Sequence, residues 1–463
     1  MWWQDAVVYQ IYPRSFQDAD GDGIGDLAGI ERRLDHLVDL GVDAFWLSPI
    51  YPSPLADFGY DVSDHTGIDP VFGDFEAFDS LVAAAHDRGL RVLMDLVPSH
   101  TSIEHPWFRE HPDWYIWADG DEPPNNWLST FGGPAWTRDP ATGRLYLHSF
   151  YPEQPDLDWR NPELQQAMAG VIRFWLDRGV AGFRIDAIDR MLKDRELRDE
   201  LPATEPFGLP LRQGEARFEL RRSRNDPGIG SALAVLREAA GDALLVGEVY
   251  LPSAATRPYL DHLDTAFAFE LFHSPWEADA LRRAITGALE VGAFAWVLSN
   301  HDFSRLVSRF GAENAVAAAV LLLTLPGLAF VYAGDEIGMP DGPGAEPPFD
   351  RAGRDAHRHP MQWEPEPKGG FTTGRPWLPL LDPEQRNVAD QRGDPASLLS
   401  LYRELIALRA KLGAFRILDD TARGVLAYER GEYTIAINTL DTEQRSPLDG
   451  GLPAHAAVVV RRL

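Results

Sequence analysis

Residues 74–96 read DFEAFDSLVAAAHDRGLRVLMDL. The stretch predicts a helix over Asp74–Arg88, closed by Gly89 as its C-cap, and then a strand over Leu90–Leu96. Working outward, the same alternation recurs. Ala6–Tyr12 and Val42–Leu47 are strand-like, and Leu27, Ile30, Leu34, Leu37 and Val38 fall between them at helical spacing. Downstream, Leu164, Met168, Val171, Ile172, Trp175 and Leu176 mark a helix, followed by strands at Val180–Ile185, Leu244–Val246, Ala266–Phe269, Phe294–Leu298 and Leu328–Tyr332. Eight strands, each followed by a helix or a long loop, predict the α/β class and a (β/α)8 TIM barrel. A doubly wound sheet is the competing arrangement, but no Gly-rich dinucleotide turn follows any strand.

Two segments break the rhythm. Residues 101–161 are rich in Trp, Pro, Gly and Asn, and a structureless loop of that length is improbable in a compact domain. They are expected to form an inserted subdomain after strand three. After a helix over Pro395–Lys411, short β runs at Gly424–Tyr428, Tyr433–Asn438 and Ala456–Val460 predict a small C-terminal β-domain. The expected division is a barrel over 1–100 and 162–411, the insertion over 101–161 and the tail over 412–463.

Composition excludes several classes. The 463 residues are 44% hydrophobic and 25% charged, so disordered and coiled-coil classes are out. No 18-residue apolar run exists, and no membrane span is expected. The chain has no cysteine, which removes disulfides, thiolate nucleophiles and cysteine-held metals. No basic segment followed by an apolar core opens the chain, so a cytoplasmic address is expected. A net charge of −28 argues against nucleic acid and acidic membrane as partners. A small-molecule ligand is expected, with the protein a monomer or homodimer.

Barrel chemistry collects at the C-terminal ends of strands. Here strand three ends Asp95-Leu-Val-Pro-Ser-His100, strand four Gly182-Phe-Arg-Ile-Asp186, strand five Val246-Gly-Glu248 and strand seven Ser299-Asn-His-Asp302. One such residue is ordinarily a helix cap, but four strands carrying them at equivalent ends point to a site. Convergent carboxylates suit glycoside chemistry, where one attacks an oxocarbenium-like centre and another protonates the leaving oxygen.

At these residues the sequence resembles the α-amylase family of glycoside hydrolases, in its α-glucosidase and oligo-1,6-glucosidase branch. Supporting segments are Trp3–Phe16, Gly59-Tyr-Asp-Val-Ser-Asp64, Gln154-Pro-Asp-Leu-Asp158 and Pro360-Met-Gln-Trp363. The resemblance implies a retaining exo-α-glucosidase, with Asp186 as nucleophile, Glu248 as acid/base and Asp302 as the third carboxylate. In a retaining enzyme the first two are about 5–5.5 Å apart. Arg184, two residues before Asp186 and on the same strand face, would keep it ionised. The resemblance places His100 and His301 on the sugar and Tyr60 beneath it. It assigns Asp57 and Arg358 to the pair that closes the pocket, with Arg354 the nearby competitor for that role.

Asp18-Ala-Asp-Gly-Asp-Gly-Ile-Gly-Asp26 alternates oxygen ligands around glycine turns, which suits a hard cation; Gly29 at the twelfth position excludes an EF-hand. The resemblance implies a structural Ca²⁺ or Mg²⁺ held by Asp18, Asp20, Asp22, Asp26 and the Ile24 carbonyl. Two residues depart from the family pattern. Ser99 stands where asparagine serves a second metal, and Asp158 where asparagine is usual. Ala187, after the nucleophile, goes with α-1,4 preference in this branch, where valine goes with α-1,6. The expected substrates are maltose-like α-glucosides. Transglucosylation, sucrose or trehalose isomerisation and an α-1,6-specific oligo-glucosidase are the alternatives. A non-catalytic relative is disfavoured because all three carboxylates are present.

Overall fold

Eight parallel strands form one sheet: β1 (Val7–Ile11), β2 (Ala44–Leu47), β3 (Arg91–Leu96), β4 (Gly182–Ile185), β5 (Leu244–Gly247), β6 (Thr265–Phe267), β7 (Phe294–Ala295) and β8 (Ala329–Tyr332). They pair in chain order, and β8 returns beside β1, with Val7 opposite Ala329. The computed structural model describes residues 1–211, 214–448 and 450–461. The ring closes at Trp296, which bridges to Ala329: its N–H donates to the Leu328 carbonyl and its carbonyl accepts from Phe330, both at 2.8 Å. The arrangement is the predicted (β/α)8 barrel.

The outer helices follow from the apolar spacing. Helix Phe75–Asp87 buries Phe78, Leu81, Val82 and Ala85; Asp74 caps it by accepting the Ala77 N–H at 3.0 Å, and Gly89 leaves it at φ +77°. Helix Pro162–Asp177 starts with Asn161 as cap and proline at its first position. Two expectations differ in detail. The single helix expected across Leu27–Val38 is two, Leu27–Arg32 and Leu34–Leu40. The break falls at Arg33, whose guanidinium sits 4.5 Å over Trp363 and donates to the Gln17 side chain and the Gly370 carbonyl. Strand six stops at Phe267 because Phe269 opens a short helix, Phe269–His273, that buries Phe269, Leu271 and Phe272.

Between residues 101 and 161, strands Trp117–Ala118 and Trp136–Arg138 flank a central Leu145–Leu147 in an antiparallel sheet. The Lys193 ammonium lies 2.7 Å from Asp156, both fully buried, and ties this segment to the loop after β4. The tail forms an antiparallel sheet of Phe415–Leu418, Val425–Arg430, Tyr433–Asn438 and Ala457–Arg461. It packs on the apolar helix Ala315–Thr324, with the Tyr428 hydroxyl 2.6 Å from Thr324 Oγ1.

Candidate active site

The strand ends deliver four carboxylates and one guanidinium to a common point. Arg184 Nη1 is 2.8 Å from Asp95 Oδ1 and 2.7 Å from Asp186 Oδ1, while Nη2 is 2.8 Å from Glu248 Oε2. The guanidinium is buried and lies 5.1 Å from the Trp46 ring centre. One planar cation touching both Asp186 and Glu248 favours the short spacing of a retaining pair. Three carboxylates share one positive charge, so the group cannot be fully ionised without cost. Burial and the Glu248 charge push Asp95 above the usual carboxylate range, against Arg184. Burial pushes Asp186 upward too, and Arg184 is the opposing influence that favours its anion.

Asp302 behaves oppositely. Burial would raise it, but its positively charged surroundings hold it well below the carboxylate range. Arg354 Nη1 lies 2.9 Å and Arg358 Nη2 3.4 Å from Oδ1. His301 is depressed to about 3 by burial, so at neutral pH the two arginines carry the effect.

Arg354, not Arg358, pairs with Asp57. Its Nη2 contacts Asp57 and is 2.7 Å from Asp350 Oδ1, and its Nε is 2.8 Å from Asp350 Oδ2. Residues Arg354–His357 form one 3-10 turn. That turn aims Arg354 into the cavity and carries Arg358 behind it, where Nε donates to the His301 carbonyl at 2.9 Å and the guanidinium lies 5.0 Å from the Tyr12 ring centre. The expected role of Arg358 is corrected to Arg354. Asp57 is fixed from the other side, accepting from Gln154 Nε2 at 2.9 Å.

Tyr60 and His301 stack at 5.5 Å, with 2.6 Å between the Tyr60 hydroxyl and His301 Nε2. Gln10 Nε2 sits 2.8 Å from His301 Nδ1 and supplies a donor there, which leaves the ring proton on Nε2 toward Tyr60. Tyr60 can then donate onward to Asp95 Oδ2 at 3.1 Å. Tyr60 and His100 line the cavity, whereas His301 is a fully buried support behind Tyr60. His100 Nε2 is 3.0 Å from the Tyr60 carbonyl. Ala187 also lines the cavity and gives its N–H to Glu248 Oε2 at 3.0 Å.

The cavity encloses ≈190 Å³. The Asp57–Arg354 pair joins loops after β2 and β8; Phe131, Phe150, Tyr250 and Phe303 add apolar wall. Asp189, Arg190, Glu215 and Arg224 line it as well, and sequence reasoning missed them; it also gave no role to Asp95 or Gln154 and named Arg354 only as a competitor for the role of Arg358. Asp95 and Gln154 carried a signal, as the first residues of the segments Asp95–His100 and Gln154–Asp158.

The acidic loop lies apart from this cavity. Oxygens of Asp18, Asp20 and Asp22 fall within 4.8 Å of one another, a donor set that fits a hard cation. Ile24 belongs to the same turn and donates its N–H to Asp22 Oδ1 at 2.7 Å. Asp26 is outside that cluster. It caps the helix Leu27–Arg32, accepting from Gly29 N at 2.6 Å and Ala19 N at 2.7 Å, because the first turn's unpaired N–H groups claim its carboxylate.

A probable α-glucosidase of Rhizobium meliloti (strain 1021) is 43% identical over 454 residues, 88% of this chain and 82% of the relative. An oligo-1,6-glucosidase of Parageobacillus thermoglucosidasius is 37% identical over 478 residues, covering 88% and 84%. The crystal structure of the α-glucosyl transfer enzyme XgtA superposes with a TM-score of 0.94 at 38% identity, over 99% of each chain. The trehalulose synthase MutB from Pseudomonas mesoacidophila MX-45 follows at 0.86 and 32%, over 100% of this chain and 98% of MutB. Residues 10–416 match the catalytic domain of α-amylase, and with the strand-end carboxylates in place the chain belongs to the α-amylase family of glycoside hydrolases.

Proposed function

We propose that the protein is a retaining, exo-acting α-glucosidase that removes terminal glucose from short, maltose-like α-glucosides. The observation that carries this is the closure of one end of the carboxylate cavity by Asp57 and Arg354, which leaves a pocket for a terminal sugar rather than a cleft for a polymer. Asp186 attacks the anomeric carbon as Glu248 gives a proton to the departing glycosidic oxygen. Glu248 then takes a proton from water, which attacks the same carbon and releases Asp186. Arg184 favours the anion of Asp186 against the effect of burial and holds its carboxylate in place, and Asp302 with Arg354 binds the glucose hydroxyls.

Maltose and isomaltose compared by kcat/KM, with Asp186→Asn as control, test the reading. The expected result is a maltose preference and loss of turnover in the variant; retained activity in Asp186→Asn would overturn it. Glucosyl transfer is the second reading, favoured by the similarity to XgtA and MutB. Product analysis at high maltose separates the two. We further propose that Asp18, Asp20 and Asp22 hold a structural Ca²⁺ or Mg²⁺ remote from the chemistry. Among the described residues no helix is long and apolar enough to cross a membrane. A cytoplasmic monomer or homodimer is proposed, since one chain supplies the whole site.

A further inference from the structure

The clamp of Asp57 and Arg354 comes from loops after β2 and β8. Outside it, three residues before Arg354 on the same loop, Arg351 ties three segments together. Its Nε and Nη2 donate to the Ala56 carbonyl at 3.3 and 3.1 Å, which grips the loop after β2 at the residue before Asp57. Its Nη1 lies 3.2 Å from Glu153 Oε1 and its Nη2 3.1 Å from Oε2, on the inserted segment at the residue before Gln154. The two side chains are 47% and 40% exposed, and an ion pair so exposed adds little stability by itself. What it contributes is geometry: one planar fork meets an acceptor on each neighbouring segment and fixes the distance between them.

From this fork a column of rings runs inward. The Arg351 guanidinium lies 4.2 Å from the Tyr151 ring centre, and Tyr151 stacks on Phe131 at 4.1 Å and 15°. The Arg354 guanidinium in turn lies 5.8 Å from the Phe131 ring centre. Cation, ring, ring and cation thus follow one another from the surface to the clamp, and each contact is attractive. Phe131 and Arg354 line the cavity, whereas Tyr151 and Arg351 stand behind them. The Tyr151 backbone N–H also donates to Gln154 Oε1 at 3.0 Å, and Gln154 Nε2 donates to Asp57. Both halves of the clamp are therefore backed from the same place, Arg354 through Phe131 and Asp57 through Gln154. The depth of the pocket behind a terminal sugar is set by side chains that do not reach that sugar.

Building on the exo-glucosidase reading, we propose that Tyr151 and Arg351 are positioning residues that determine specificity. They hold Phe131 and Arg354 across the end of the cavity and so exclude α-glucosides whose chain continues beyond the glucose in the pocket. Neither residue touches a reacting bond. Without the column, Phe131 gains a vacated space to turn into, and the Ala56 and Glu153 segments lose the fork that joins them. The far side of the cavity, around Glu248 and Ala187, keeps its contacts, so an ordinary terminal glucoside is still cleaved. The substrates gained are glucans cut at an inner linkage.

The probe is p-nitrophenyl α-maltoside whose terminal glucose carries a 4,6-ethylidene cap, with p-nitrophenyl α-glucoside as reference. Direct release of nitrophenol and capped maltose requires the inner glucose in the pocket and the capped one beyond the wall. The wild type is expected to cleave the reference and to leave the capped substrate at background. Tyr151→Ala combined with Arg351→Ala is expected to raise the capped rate, divided by the reference rate of the same preparation, at least tenfold, with capped maltose as co-product. Tyr151→Phe, which keeps the ring, is expected to stay within twofold of the wild type. Lost structure cannot mimic a gained substrate. If the double variant cleaves neither substrate, Arg351→Ala alone decides, with a gain of at least threefold expected. No gain, capped glucose in place of capped maltose, or an equal gain in Tyr151→Phe would overturn the inference and leave the exo-glucosidase reading standing. Capped maltose released by the wild type, or a wild type that does not cleave the reference, overturns that reading and this inference together.

Discussion

The backbone N–H of Ala187 donates to Glu248 Oε2 at 3.0 Å, and Ala187 does so from a left-handed conformation with φ +42°. The residue that follows the nucleophile thus orients the acid/base. An L-residue pays about 1–2 kcal/mol for that conformation, and a β-branched one more. Ala187→Val is therefore expected to disturb the backbone as well as crowd the leaving group. We predict a loss of about tenfold or more in maltose kcat/KM, with Ala187→Gly close to wild type, read from initial rates on both linkages.

Asp186 and Glu248 should separate by leaving group. Glu248→Ala is expected to lose about 10²–10⁴-fold on maltose, the usual worth of a general acid. An aryl α-glucoside, whose leaving group needs little protonation, would still load Asp186. Azide, needing no base, should then restore turnover and give α-glucosyl azide, identified by NMR. A β-azide would contradict the double-displacement mechanism.

Arg354→Ala removes the cation shared by Asp57, Asp302 and Asp350. Stranding buried carboxylates costs about 3–5 kcal/mol, so kcat/KM for maltose should fall at least ~100-fold. The pH profile gives a sharper reading. In the folded protein Asp302 is depressed, so its ionised form persists as pH falls. Without Arg354 its pKa rises and protonation begins at higher pH. The acid limb of activity, and the associated acid loss of stability, should both move upward in pH.

Lys193→Met strands Asp156 in the joint between the inserted sheet and the loop after β4. Urea unfolding should show a loss of about 3–5 kcal/mol, and Lys193→Met with Asp156→Leu a smaller one, because the second change removes the unpaired charge.

Chelation addresses the loop over Asp18–Asp22. A chelator should lower the melting temperature while leaving initial rates at low temperature unchanged, and added Ca²⁺ or Mg²⁺ should restore it. Lost rates with an unchanged melting temperature would contradict a structural ion.

What was legible in the sequence follows physical lines. Parallel barrel strands are buried on both faces and read as apolar runs, so all eight were visible, and their ends located Asp186, Glu248 and Asp302. Arg354 and Arg358 were not separable, because both are arginines across a single turn and only the turn's path shows which one enters the cavity. Asp189, Glu215 and Arg224 meet through a long irregular loop whose fold has no periodicity to read. The strand Phe415–Leu418 was missed for a related reason: all four of its residues keep some solvent exposure and give no clear alternation.

The contact between Asp57 and Arg354 joins residues 297 positions apart. During synthesis all three carboxylates, and β8 with them, emerge before Arg354. A nascent chain halted short of residue 354 would hold the chemical groups of a glycosidase without the end wall that seats a terminal sugar. Competence is therefore acquired late, when the loop after β8 brings Arg354 to Asp57, and ribosome-bound chains of increasing length should gain activity as a step rather than a ramp.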